Sequence, residues 1–214
     1  MIGILGGTFD PVHIGHLRLA LELRDRVPLE RVLLMAAAEP PHRKPPQAAA
    51  EDRLAMVRLA TAALYQQGAR GLEVEDLECR RPGPSYMADS LEQLREREGD
   101  TPLALILGMD AFLGLPRWHR WRRVFELAHV IVVGRPGSAP DAEPDWARDR
   151  LAGAADALQD HPAGRLLRVT IPELDISASA IRAALAQGRS IHCLTPPAVG
   201  EYIARRGLYR PRSG

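Results

Sequence analysis

Short runs of apolar residues alternate along the chain with longer amphipathic segments. The apolar runs are MIGIL at 1–5, RVLLMAA at 31–37, LEVEDLE at 72–78, LALIL at 103–107, HVIVVG at 129–134 and RLLRVTI at 165–171. The intervening segments with helical periodicity are LRLALELRD at 17–25, DRLAMVRLATAAL at 52–64, SYMADSLEQLRE at 85–96 and WRRVFELA at 121–128. Apolar runs with few polar interruptions are typical of strands covered by helices on both faces. The order predicts an α/β protein with a doubly wound parallel sheet.

In such a sheet, ligands bind beyond the carboxyl ends of the strands. The loops that we expect to matter follow Leu5, Ala36, Leu107, Val133 and Ile171. The length of 214 residues suits one domain over 1–214, in which 170–210 forms a C-terminal helical part.

Composition excludes several kinds of partner. The formal net charge is only +1, so no global field attracts long nucleic acid or a membrane surface. Cys79 and Cys193 are far apart and form no CxxC pair, so we expect no metal site and interpret both as buried small apolar residues. The chain begins with the strand-like MIGILGG and lacks a secretory signal pattern, which predicts a cytoplasmic protein.

The string GGTFDPVHIGH at 6–16 joins the first predicted strand to the first helix. Gly6 and Gly7 allow a sharp turn and close approach to a ligand, and the amides of a helix start favour phosphate. His13 and His16 share a face if the helix has begun by His13, where both can donate to phosphate oxygens, and Thr8 can add a hydroxyl. Asp10 is better suited to fixing the loop through backbone amides.

A second candidate anion site is LDISASAIR at 174–182. Ser177 suits an N-cap, and Ser179 and Arg182 follow within about one turn. A plain capped helix start and a phosphate site are both consistent with this string alone.

Three further strand-end segments carry unusual residues, namely EPPHRKPP at 39–46, LILGMDAFLGLPRWHRW at 105–121 and GRPG at 134–137. For the first, a solvated basic loop is the alternative to a phosphate contact. For the tryptophans of the second, packing in the core is the alternative to ligand stacking.

The first motif resembles the GTFDPxHxGH signature of the HxGH nucleotidyltransferase superfamily, and the chain resembles nicotinate-nucleotide adenylyltransferases nearly end to end. PSYMADSL at 84–91 is similar to that family's PSYTxxTL, with Met87 in place of Thr, and His119 stands where Tyr is common. The resemblance implies a Rossmann-like (HUP-type) fold and the transfer of AMP from ATP to nicotinic acid mononucleotide, with release of pyrophosphate.

The resemblance also implies site residues. The expected ATP contacts are Gly6, Gly7, Thr8, Phe9, His13, His16, Gly108, Asp110, Arg135, Ile176, Ser177, Ser179 and Arg182. The expected mononucleotide contacts are His42, Arg43, Ser85, Met87, Trp118 and His119. His13, His16 and Arg182 are the expected catalytic residues, Mg²⁺ arrives with ATP, and a homodimer is one expectation for the assembly.

Other functions stay open from the residues. Sister transferases act on phosphopantetheine, nicotinamide mononucleotide or CTP, and His13 argues against the pantetheine enzymes, which resemble shorter chains with Thr there. VHIGH also matches class I aminoacyl-tRNA synthetases, but the chain has no KMSKS-like loop. A noncatalytic nucleotide sensor is a further alternative, against which the intact His13, His16, Ser177 and Arg182 argue.

Overall fold

A computed structural model describes residues 1–40, 45–134, 144–172 and 174–210. In that part of the chain, six parallel strands form one sheet in the order β3-β2-β1-β4-β5-β6. The strands are β1 Ile2–Gly7, β2 Arg31–Ala36, β3 Leu72–Glu75, β4 Leu103–Gly108, β5 His129–Gly134 and β6 Leu166–Thr170. The predicted doubly wound parallel sheet is confirmed, and LEVEDLE is a strand only in its first part.

Helices connect the strands and follow the last one. They are α1 Ile14–Arg26, α2 Ala50–Gln66, α3 Leu77–Arg80, α4 Met87–Glu98, α5 Met109–Leu113, α6 Trp121–Leu127, α7 Asp145–Arg148, α8 Ala178–Ala186 and α9 Pro197–Arg206. Short 3₁₀ turns lie at Leu115–Arg117 and Asp156–Leu158.

Two hydrophobic clusters cover opposite faces of the sheet, and successive strand residues alternate between them. In β4, Ala104 and Ile106 belong to one cluster, whereas Leu103, Leu105 and Leu107 belong to the other. The first cluster contains residues of α1, α2, α8 and α9, and the second contains residues of α4, α5 and α6. Burial on both faces explains why the strands are almost uniformly apolar in sequence.

The parallel register brings the carboxyl ends of the central strands to one edge of the sheet. Gly7 at the end of β1 pairs with Ala36 of β2. On the other side of β1, β4 ends at Gly108 and its neighbour β5 ends at Gly134. The candidate segments that follow these strands therefore lie along the same edge.

A buried arginine ties two of these loops together. Arg53 is only 1% exposed, although it lies on a helix face with Met56, Val57 and Ala60. Its Nη1 donates to the carbonyl of Thr8 at 2.7 Å and to the carbonyl of Ala37. Its Nη2 donates to the carbonyl of Ala38, and its Nε donates to the carbonyl of Ala48. The guanidinium therefore satisfies carbonyls of the loops after β1 and β2 and of the start of α2.

The two cysteines differ from the expectation that both are buried. Cys79 is partly buried, but Cys193 is exposed. Cys193 has a φ of 63° in the connection between α8 and α9, where the backbone turns at the surface and leaves its side chain outside the core. The prediction was therefore wrong for Cys193.

His129 is a buried histidine whose two ring nitrogens both have hydrogen-bond partners. Its Nε2 lies 2.8 Å from the His161 carbonyl, and its Nδ1 accepts from the Arg165 amide. Among the described residues, no helix combines the length and apolar character needed to cross a membrane.

We predict that Arg53→Met lowers the free energy of unfolding by about 3 kcal/mol or more, because it leaves several buried carbonyls without donors. Urea denaturation followed by circular dichroism measures the change. Arg58→Met is the matched control, since Arg58 lies on the same helix but is exposed and forms a surface ion pair with Asp76. The control should lose about 0.5 kcal/mol. Equal losses in the two variants would show that the carbonyl contacts contribute little.

Candidate active site

The two motif histidines stand at the start of α1. His13 is the N-cap and His16 the third helical residue, so the helix begins one residue after His13. The His13 amide donates to His16 Nδ1 at 3.2 Å, and the two rings stack with centroids 3.6 Å apart. Because His16 Nδ1 accepts this bond, a neutral His16 ring carries its proton on Nε2. The histidines therefore act as one stacked unit at a helix N-terminus.

Burial sets the charge of His13. Its side chain is 6% exposed, and desolvation lowers its pKa from 6.5 to about 4. Its Nδ1 is buried and has no hydrogen-bond partner among the described residues. At neutral pH the imidazole is neutral and offers a hydrogen-bond donor rather than a full positive charge.

Side chains of the protein itself pack closely against both glycines of the motif. A Cβ on Gly7 would lie 3.0 Å from the Phe9 ring, and one on Gly6 would lie 2.9 Å from Met87 Cε. Phe9 itself is buried at a φ of 49°, with its ring edge-on to His16 at 5.0 Å. Phe9 therefore supports the histidine pair from the core, and only its backbone can face a ligand.

The second motif forms the start of α8, as predicted. Ser177 is the N-cap, and its Oγ accepts from the Ala180 amide at 3.2 Å. Its Oγ also lies 3.1 Å from Ser179 Oγ. The first turn thus presents two hydroxyls beside backbone amides that have no partner within the helix. The capping interpretation is confirmed, and this geometry is equally suited to an anion.

The two motifs meet although the residues in contact, Asp10 and Arg182, are 172 positions apart in sequence. Arg182 Nη1 donates to the Asp10 backbone carbonyl at 2.6 Å and lies 3.7 Å from Asp10 Oδ2. A Cβ on Gly15 would lie 3.6 Å from the Ile176 carbonyl. The starts of α1 and α8 are therefore neighbours at one edge of the sheet.

Asp10 fixes the loop through backbone amides, as the sequence predicts. Its Oδ2 accepts from the Gln47 amide at 2.8 Å and its Oδ1 from the Ala48 amide at 3.1 Å. Its Oδ1 also accepts from the Tyr209 hydroxyl at 2.8 Å. The carboxylate is thus engaged by the protein and is not directed toward a ligand.

A cavity of about 510 Å³ opens beside the end of β1. Eight of the predicted contacts lie on its wall: Gly6, Gly7, Thr8, Ser85, Met87, Asp110, Trp118 and His119. The predicted phosphate contacts His13, His16, Ser177, Ser179 and Arg182 do not line it. Gly108 is exposed at the end of β4, where a Cβ would meet nothing within 4 Å. The predictions for His42, Arg43 and Arg135 concern residues outside the described part of the chain.

The start of α4 forms one wall of this cavity. Ser85 Oγ accepts from the Ala38 and Glu39 amides at 2.9 and 3.1 Å, so its hydroxyl holds the loop after β2. Tyr86 is the N-cap, and its ring lies 4.3 Å from the His119 ring. Met87 is the first helical residue, and its amide has no acceptor within the helix. The wall combines two aromatic rings with a helix N-terminus.

Glu78 also lines the cavity and was missed by sequence reasoning. Burial raises the pKa of its carboxyl, although hydrogen bonds with Ser90 and Ser85 act in the opposite direction. Ser90 Oγ lies 2.7 Å from Glu78 Oε1. A carboxyl with a raised pKa adds less negative charge to the cavity than an ordinary glutamate would.

Sequence reasoning also missed Arg53 and Tyr209. Arg53 gave a usable signal, because a charged residue on the apolar face of an amphipathic helix needs a buried partner. Tyr209 gave none, since an aromatic residue near a chain end is ordinary. No group of three or more metal-ligating side chains occurs in the described residues.

Comparisons with known proteins agree with this geometry. Residues 4–184 match the family model described as cytidylyltransferase-like. A Pseudomonas putida relative is 49% identical over 98% of this chain and 94% of its own, and a Methylococcus capsulatus relative is 44% identical over 98% and 99%. Both carry the name "Probable nicotinate-nucleotide adenylyltransferase".

A solved structure is similar in fold. Plasmodium falciparum nicotinic acid mononucleotide adenylyltransferase complexed with NaAD has a TM-score of 0.70, covers 97% of this chain and 96% of its own, and is 18% identical. The fold and the sequence match define a nucleotidyltransferase. The extent of identity to the relatives is more specific: the chain belongs to the nicotinate-nucleotide adenylyltransferase family.

The lowered pKa of His13 predicts that the free energy of unfolding depends on pH. Between pH 6.5 and about 4 the unfolded chain binds a proton at this position that the folded protein excludes, so the free energy of unfolding falls as the pH falls through this range. His13→Asn should remove this contribution. Urea denaturation of the unaltered protein and of the variant measures the difference between their free energies of unfolding at several pH values. This difference should change with pH below 6.5 and stay constant above it. A difference that stays constant down to pH 4.5 would contradict the buried neutral state.

Proposed function

We propose that this protein transfers AMP from ATP to nicotinic acid mononucleotide, giving nicotinic acid adenine dinucleotide and pyrophosphate. The observation that carries the proposal is the meeting of the His13–His16 start of α1 with the Arg182 helix through Asp10, beside the cavity that Trp118 lines. Two anion-binding helix starts next to an aromatic-walled cavity suit a triphosphate and a ring-bearing mononucleotide. The names of the relatives support the same reaction.

The reaction needs no covalent enzyme intermediate. A phosphate oxygen of the mononucleotide attacks the α-phosphorus of ATP, and the bond to the bridging oxygen of the β-phosphate breaks as pyrophosphate leaves. The nucleophile is already anionic, so a general base has no proton to remove. Catalysis then rests on holding two charged phosphates in line and stabilising the charge that develops.

The first motif suits the transferring phosphate. His13 and His16 lie at the positive end of α1, where His13 is neutral at neutral pH. The neutral imidazole of His13 can stabilise developing charge without forming a tight ion pair with the ground-state nucleotide. We assign both histidines to the α-phosphate and the leaving group, and the motif backbone at Gly6, Gly7, Thr8 and Phe9 to the nucleotide.

The second motif suits the leaving pyrophosphate. Ser177 and Ser179 supply hydroxyls, α8 supplies first-turn amides, and Arg182 supplies a fixed positive charge. We assign these groups, with the Ile176 backbone, to the β- and γ-phosphates. Arg135 is the further candidate contact with these phosphates.

The cavity suits the mononucleotide. Trp118 offers a ring to stack on the pyridine, and the free Met87 amide at the start of α4 offers a donor to its carboxylate. The hydroxyl of the family's usual Thr is not needed if the amide provides this contact. His119 and Ser85 complete the wall, Asp110 and Gly108 face the adenylate, and His42 and Arg43 are candidates for the mononucleotide phosphate.

Mg²⁺ is part of the nucleotide substrate in this proposal. The described residues include no cluster that could hold a metal by itself, and Asp10 is occupied by protein donors. When bound with ATP, Mg²⁺ would be held mainly by phosphate oxygens and would neutralise part of the charge of the triphosphate. Because ATP is the energy carrier of the cell interior, we place the reaction in the cytoplasm.

We predict that His16→Ala lowers kcat by about 10²- to 10⁴-fold, the range expected for losing one transition-state donor, with a smaller change in ATP affinity. Pyrophosphate release under saturating substrates measures kcat. His192→Ala is the control, because His192 is exposed and lies outside the site. A near-normal rate in the His16 variant would remove this residue from the mechanism.

The substrate is tested by incubating the protein with ATP, Mg²⁺ and either pyridine mononucleotide, and measuring the dinucleotide formed. We expect kcat/KM to be higher for the acid than for the amide, because the Met87 amide at a helix N-terminus favours a carboxylate. A preference for the amide would assign the chain to the sister activity. No dinucleotide from either would support the noncatalytic sensor.

A further inference from the structure

The last described segment of the chain reaches back to the first motif. Tyr209 follows α9, is 9% exposed, and donates its hydroxyl to Asp10 Oδ1 at 2.8 Å across 199 residues of sequence. Burial is the main cause of its raised pKa, and the bond to Asp10 adds to it. The phenol therefore remains a protonated donor.

The distribution of bonds around Asp10 explains the position of Arg182. Among the described residues, the Ala48 amide and the Tyr209 hydroxyl occupy Oδ1, and the Gln47 amide occupies Oδ2. Arg182 donates to the backbone carbonyl of Asp10 at 2.6 Å, while its nearest carboxylate oxygen is 3.7 Å away. The guanidinium is therefore held beside the carboxylate without being fully paired with it.

This arrangement differs from an ordinary salt bridge. A bidentate pair with Asp10 would use both the charge and the donors of Arg182 and leave fewer for a phosphate. A carboxylate whose oxygens already accept three neutral donors is a weaker competitor for the guanidinium. Removing the Tyr209 hydroxyl would free a lone pair on Oδ1, and removing the Gln47 amide would free one on Oδ2, the oxygen 3.7 Å from Arg182.

We propose that Tyr209 is a positioning residue for Arg182, because its hydroxyl occupies Asp10 Oδ1 and keeps the guanidinium available to the triphosphate. The inference rests on the proposed phosphate role of Arg182. Without the hydroxyl, Arg182 turns toward the carboxylate, and ATP must break that pair in order to bind. The effect appears in the KM for ATP rather than in that for the mononucleotide.

The chain offers a matched control in Tyr202. Its hydroxyl donates to Asp52 Oδ1, also at 2.8 Å, and joins α9 to α2. Asp52 also accepts from Arg206 Nε at 3.1 Å, and its partners differ from those of Asp10, which are Gln47, Ala48 and Tyr209 in the described part of the chain. Tyr202→Phe therefore removes the same kind of bond from the same end of the chain without altering the carboxylate beside Arg182.

The experiment compares the unaltered protein with Tyr209→Phe, Tyr202→Phe, Arg182→Ala and the Arg182→Ala/Tyr209→Phe double variant. Each is assayed at a temperature where circular dichroism shows it fully folded. We expect Tyr209→Phe to raise the KM for ATP about 3- to 10-fold and to change that for the mononucleotide less than about 2-fold. Tyr202→Phe should leave both constants unchanged, even if its melting temperature falls.

The double variant separates positioning from a structural role. In the Arg182→Ala background, Tyr209→Phe should have no further effect on the KM for ATP, because the group that it positions is gone. A persistent effect in that background, or equal behaviour of the two tyrosine variants, would overturn the inference. If Arg182→Ala leaves ATP kinetics unchanged, the proposed phosphate role of Arg182 fails instead.

If Tyr209→Phe yields too little folded protein, Gln47→Pro provides a second test. It removes the amide that donates to Asp10 Oδ2 while leaving Tyr209 intact. The inference expects the same rise in the KM for ATP, because a carboxylate oxygen is again released to Arg182. An unchanged KM for ATP in this variant would contradict it.

Discussion

The buried carboxylate of Asp10 is the interaction on which the site depends. The carboxylate accepts hydrogen bonds from two backbone amides of the segment before α2 and from the Tyr209 hydroxyl. The backbone carbonyl of Asp10 accepts from Arg182. Three stretches that are remote in sequence are thereby fixed to the loop after β1. A buried carboxylate is costly unless donors satisfy it, so the surrounding segments are confined to positions that supply those donors.

The neighbouring Arg53 supplies buried hydrogen-bond donors, whereas Asp10 supplies buried acceptors. It donates to carbonyls on the loops after β1 and β2, which have no strand partners of their own. Two buried charged groups, the Asp10 carboxylate and the Arg53 guanidinium, thus provide hydrogen-bond partners for backbone amides and carbonyls at the sheet edge. The result is a rigid frame around two helix N-termini, which is the preorganisation that phosphoryl transfer between anionic substrates requires.

Much of the candidate site could be predicted from sequence because it lies in contiguous strand-end segments. Both motifs fall where the apolar pattern changes from strand to helix, and the Ser177 cap and the amide-binding role of Asp10 follow from residue type. The stacking of His13 on His16, the burial that keeps His13 neutral and the surface position of Cys193 depend on packing. Residue spacing alone does not contain that information.

The sequence by itself determined the sheet, its parallel character and the edge along which the two motifs lie, because these follow from the local alternation of apolar runs and amphipathic helices. Only the tertiary structure decided which donors reach Asp10 and to which carbonyls Arg53 donates. The donors to Asp10 lie 37 to 199 positions away from it, and the carbonyls that accept from Arg53 lie 5 to 45 positions away. The pairing of these polar atoms leaves no periodic pattern along the chain.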